Sequence, residues 1–104
     1  MDEELKGQHY KNASGREVYE IYDAESDFLH RIAAILVSEF GFSAEGRTVY
    51  GLDEVFTNFK SGAARLELGW DNWSGCYVMA HDAEGDEVVA AIGRLLDALL
   101  QNLD

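Results

Sequence analysis

Apolar residues recur at helical spacing in two stretches of this chain, and between them the pattern changes to short runs punctuated by glycine. The first stretch holds Phe28, Leu29, Ile32, Ala33, Leu36 and Phe40, which together make one apolar face. Asp23 is expected to cap this helix, and Glu25 and Asp27 place negative charge near the positive end of its dipole. Asp27 and Arg31, four residues apart, are expected to pair on the wet side. Gly41 stands where a left-handed residue ends a helix. The second stretch begins after Asp82, with Glu84, Asp86 and Glu87 crowding its start, and carries Val88, Val89, Ile92, Leu95, Leu96, Leu99, Leu100 and Leu103. This stripe is broader than packing on one sheet requires, so part of it should cover the first helix or another chain.

Strand signals fill the remainder. Residues 17–22 are rich in aromatic and β-branched side chains and read as a strand. Further strands are expected near residues 55–59, 65–70 and 76–80, with a short one at 48–52. Lys60-Ser61-Gly62-Ala63 suits a hairpin turn, and Asp71-Asn72 another. Residues 1–15 form a polar lead-in, either frayed or contributing an edge strand over 8–11, ahead of a single domain spanning 16–104. The expectation is an α+β fold in the order β-α-β-β-β-α. Its two-layer sandwich would set a mainly antiparallel sheet of three to five strands against two helices on one face. The helix-strand-strand-strand-helix order resembles that of the double-stranded-RNA-binding domain. The basic patches with which such a module contacts phosphates are missing, so that function is excluded.

Alternation along 65–71 turns Leu66, Leu68 and Trp70 toward the helices and Arg65, Glu67 and Asp71 away. The next strand depends on loop parity. A two-residue turn at Asp71 and Asn72 would put Trp73, Gly75, Tyr77 and Met79 inside; a five-residue loop, 71–75, would put Cys76, Val78 and Ala80 there. The second is preferred, because cysteine and small or branched residues fit beneath helices while tyrosine and histidine tolerate a wet edge. It leaves Glu67, Tyr77, Met79 and His81 on an outer surface, beside Lys60 or Asn58.

Charge changes the functional picture more than the fold. Twenty Asp and Glu oppose eight Lys and Arg, a formal net charge of −12 on 104 residues. Binding to nucleic-acid phosphates rests on Lys and Arg, so direct contact with DNA or RNA is not expected, nor is docking on anionic membranes. The same charge suits a basic protein partner. No apolar h-region follows Met1-Asp2-Glu3-Glu4, no apolar run approaches membrane-spanning length, and Cys76 is the sole cysteine. Cytoplasmic residence is therefore expected, and the triplets Asn12-Ala13-Ser14 and Asn72-Trp73-Ser74 are read as chance matches to a glycosylation signal.

Candidate chemistry is sparse. His9, His30 and His81 are scattered, and Cys76 has no CxxC partner. The run Asp82 to Glu87 departs from a calcium loop, with Glu87 at the sixth position and Gly93 at the twelfth. Ser14, Ser61 and Ser74 each precede glycine but lie in no GxSxG elbow, and Cys76 and His81 would fall on opposite faces of one strand. No GxGxxG or Walker sequence occurs. Neither an enzyme, a cofactor nor a metal site is expected. The segment holding Trp70 and Trp73 either clamps a hairpin turn or offers aromatic faces to a cation.

The candidate binding residues are thus Glu67, Trp73, Tyr77, Met79 and His81. The leading expectation is a small acidic binding or inhibitory module that recognises a basic protein surface. In charge and size alone it is similar to bacterial immunity proteins and nucleic-acid-mimicking inhibitors. An alternative is a self-associating housekeeping domain, homo-oligomeric through the C-terminal helix, whose acidity merely solubilises it. A third is a small enzyme with an unrecognised site.

Overall fold

Residues 5–101 are described by a computed structural model. Strands β1 (Gly7–Lys11) and β2 (Glu17–Ile21) precede helix α1 (Leu29–Phe40). A meander of β3 (Ser43–Tyr50), β4 (Glu54–Ser61), β5 (Ala64–Asp71) and β6 (Gly75–Ala80) follows, and helix α2 (Ala83–Gln101) comes last. All six strands form one antiparallel sheet in the order β1-β2-β6-β5-β4-β3. The fold is α+β, but the expected count of three to five strands is too low. Four strands rather than three separate the helices, which removes the likeness in element order to the double-stranded-RNA-binding domain.

The extra strands have physical reasons for being hard to see. β3 is an edge strand whose residues are nearly all exposed, so it carries little of the in-out alternation that reveals a strand; it also breaks register between Glu45 and Val49. It runs from Ser43, well before the expected start at 48. β1 is the opposite edge, and its pairing with β2 brings the lead-in residues Gly7–Lys11 into the sheet.

Side chains on one sheet face and both helices share a single core. Tyr19, Ile21, Phe59, Leu66, Leu68, Cys76, Val78 and Ala80 meet Ile32 and Leu36 of α1 and Val89, Ile92 and Leu96 of α2. Each fully buried aliphatic side chain contributes roughly 1.5–3 kcal/mol relative to exposure. The apolar spacing implies burial of Leu29, Ile32, Leu36, Ile92, Leu95 and Leu99 against the sheet, but Leu29 and Leu95 are only half-buried and Leu99 is exposed, because the helices turn Ile32, Leu36, Ile92 and Leu96 most directly onto the sheet. Leu103 lies outside the described residues.

Helix termini depart from expectation at one end. Asp23 does not cap α1: it sits at φ 68 in a turn where Ala24 N–H donates to the Ile21 carbonyl at 3.2 Å. That turn plugs Ala24 into the core, where its carbonyl accepts Trp70 Nε1–H at 3.1 Å. A 3-10 turn, Ser26–Phe28, then leads into α1, and the Arg31 guanidinium lies 5.7 Å from the Phe28 ring centre. Gly41 ends the helix at φ 70, as its position implied. At α2, Asp82 Oδ1 accepts Gly85 N–H at 2.7 Å, a capping bond. Asp86 accepts Glu17 N–H at 2.8 Å and pairs with Arg16 at 3.2 Å, so acids at this helix start fasten it to β2.

A second fastening joins α2 to β1. Asp97 accepts the Tyr19 hydroxyl at 2.6 Å and lies 2.9 Å from His9 Nε2. Burial would raise the Asp97 carboxyl, but the Tyr19 and His9 hydrogen bonds and the His9 charge outweigh it and hold the group below its ordinary 3.8. A carboxyl lowered by folding contributes stability above its unfolded value and loses it as pH falls through the folded one. Asp97→Asn should therefore be less stable than wild type at neutral pH, with the gap closing as pH falls below 3.8. Urea midpoints of the two proteins measured side by side check this; a gap independent of pH would contradict it.

Candidate functional site: the open face of the sheet

Side chains alternate along each strand, so residues opposite the core set form a second sheet face, over which no described helix packs. The register fixes its rows. One row crosses all six strands: Gln8, Glu20, Tyr77, Gly69, Phe56 and Val49. Beside it run Tyr10, Val18, Met79, Glu67, Asn58 and Glu45. Asp71 pairs with Glu54 and Gly75 at the end nearer the β5–β6 turn.

Four expected site residues meet here. The Tyr77 hydroxyl donates to Glu67 Oε2 at 2.5 Å, His81 Nε2 lies 3.5 Å from Glu67 Oε1, and Met79 is Glu67's cross-strand neighbour. Met79 Sδ also accepts Asn12 Nδ2–H at 3.3 Å. The β5–β6 loop occupies residues 72–74 and pairs Trp70 with Cys76. That register matches the five-residue alternative, and Cys76, Val78 and Ala80 are accordingly buried.

Tyr77 is half-buried rather than freely exposed. Its ring lies over Gly69, where a Cβ would stand 2.5 Å from the phenolic oxygen. Glycine lets the aromatic lie flat across the neighbouring strand. Trp73 stands apart from the four. It is 74% exposed in the turn, where Asp71 Oδ1 accepts its N–H at 2.9 Å and that of Ser74 at 2.6 Å. It borders a separate cleft with Asp23, Glu25 and Trp70.

Electrostatics divide this face. Toward one end Arg65 lies 3.6 Å from Glu45, and His81 approaches Glu67, with Lys60 nearby in register. At the other end Glu20 and Asp71 act on Tyr10, Asp71 and Glu54 act on Tyr77, and Phe56 shares the Tyr77 row. Burial, the Glu20 hydrogen bond and the charges of Glu20 and Asp71 push the Tyr10 phenol up to about 12. Burial, the Glu67 hydrogen bond and the charges of Glu67, Asp71 and Glu54 drive Tyr77 well above the ordinary tyrosine range. Both phenols thus keep their protons and can donate to the neighbouring carboxylates. The Asn58 side-chain oxygen is enclosed without a hydrogen-bond partner. Such a surface offers acceptors and aromatic faces, which suit a cationic side chain.

Tyr10, Glu20, Glu54 and Phe56 were not expected in this set, whereas Asp71 takes the outer side that alternation gave it. Strand alternation would place each on a face, but only the order β1-β2-β6-β5-β4 brings those faces together, and its β2–β6 pairing is nonlocal.

Nucleophilic chemistry finds no support here. Cys76 faces the core on the other side from His81, and burial, followed by the Asp27 charge, pushes its thiol up to about 12. The native protein should resist a thiol reagent at pH 8 and react once unfolded; rapid native labelling would show that Cys76 is accessible. Among the described residues, no group of three or more His, Cys, Asp or Glu could hold a metal ion, and no helix is long and apolar enough to cross a membrane. No protein-family model, curated protein or solved structure matches this chain.

Proposed function

We propose that this chain is a small acidic binding or inhibitory module that recognises a basic protein surface through the open face of its sheet. The observation that carries the reading is the gathering of Glu20, Glu54 and Asp71 near Tyr10, Tyr77 and Phe56 on one sheet face. A two-layer arrangement, with helices on one side only, leaves this face available. Tyr77, half-buried and held by Glu67, supplies contact area at little entropic cost, and the exposed Tyr10 and the half-buried Phe56 extend it. The surrounding carboxylates would steer a cationic partner and reject an anionic one.

Retained proteins from a native lysate, compared at low and high salt on wild type and on Glu54→Lys, test this. Glu54 is exposed and pairs across the strands with Asp71, so the variant reverses charge at the site without emptying the core. The reading expects a stoichiometric basic protein that is retained at low salt, released at high salt and lost on the variant. Equal retention by both chains would sink it.

A further inference from the structure

We propose that this chain forms a two-fold symmetric homodimer through the groove between α1 and α2. The groove lies on the helical side of the molecule, away from the open sheet face, so this inference stands apart from the function proposed above. Phe28, Ile32, Ile35, Leu96, Leu99 and Leu100 line it, Arg31 stands at its rim, and its volume is about 270 Å³. Leu99 remains 42% exposed there. The second helix thus carries apolar surface that its own sheet does not use.

Charge identifies the occupant. Two copies at −12 repel each other over most of their surface. Helix α1, one wall of the groove, contains Arg31 and Glu39, one positive and one negative charge that cancel. On this wall of the groove the apolar lining and local neutrality coincide. A basic partner is drawn by the acidic face, whereas a like-charged copy meets least resistance at the helices.

The α1 surface is also self-complementary. Arg31, Ile35 and Glu39 recur every fourth residue and so lie along one side of the helix. An antiparallel approach about a two-fold axis near Ile35 sets each Arg31 against Glu39 of the other copy, and Ile35 against its own equivalent. One patch thereby supplies both halves of the contact, as an isologous interface requires. Both acidic sheet faces then point outward and remain available.

Sedimentation equilibrium across a concentration series, at low and moderate salt, tests the proposal. A dimer is expected, and it should tighten as salt screens the repulsion between copies, opposite in sign to the binding of a basic partner. Arg31→Glu and Glu39→Arg, both at exposed positions, should each raise the dimer dissociation constant about tenfold or more. The double reversal should restore it to within about threefold of wild type. Circular dichroism verifies that each variant keeps its helices. A wild-type protein that stays monomeric up to about 1 mM, a range that covers only weak association, would overturn the proposal. So would single reversals without effect, or a double reversal that fails to restore association.

Discussion

Gly75→Ala should cost about 3 kcal/mol or more, because two separate penalties fall on one residue. Gly75 has φ +84, a conformation that side chains with a Cβ rarely adopt. An added Cβ would also overlap the Ile21 carbonyl oxygen and stand 2.8 Å from the Asp23 amide nitrogen. Both are backbone atoms, one at the end of β2 and the other in the turn that seats Ala24, so no side-chain rotation relieves the contact. Gly62 gives the matched control. It too has positive φ, +59, but nothing lies within 4 Å of its added Cβ. Gly62→Ala should lose only the conformational part, about 1–2 kcal/mol. Equilibrium unfolding in urea separates the two, and equal losses would mean that crowding at β2 is absent.

Leu36→Ala should remove about 2–5 kcal/mol. Leu36 is fully buried in the core shared by both helices and the sheet, so truncation loses burial and opens a space that neighbours on three elements must collapse to fill. Leu95, half-buried on α2, is the comparison. It should lose distinctly less, because solvent already reaches part of its side chain. A loss at Leu95 that matches Leu36 would place the α2 face incorrectly on the sheet.

What could be read from the chain followed from local periodicity. The spacing of Ile32 and Leu36, and of Ile92 and Leu96, marks the helical faces that the core uses. Alternation through Leu66, Leu68 and Trp70, combined with a preference for small residues under helices, gives the side that Cys76 and Val78 take. Elements without a buried face left no such trace. β3 is exposed along nearly its whole length, and β1 pairs only through its single neighbour. The Asp23 turn answers to packing of Ala24, which overrides the capping preference of aspartate. The candidate site was legible only in its β5–β6 half. Glu67, Tyr77, Met79 and His81 are close in sequence and Phe56 joins them across the β4–β5 hairpin, while Tyr10 and Glu20 arrive only through the long-range pairing of β2 with β6. The half-burial of Tyr77 depends on Gly69 opposite it, a pairing fixed only once the register is known.

The central proposal is that a basic surface docks on the open sheet face. Titration of ¹⁵N-labelled protein with a soluble arginine-rich peptide at low ionic strength maps contact residue by residue. The account predicts amide shifts concentrated at Glu20, Glu54, Phe56, Gly69, Asp71 and Tyr77, fading as salt is added and abolished by Glu54→Lys with Glu20→Lys. Shifts concentrated on α1 and α2, or scattered over carboxylates in every part of the molecule, would contradict it.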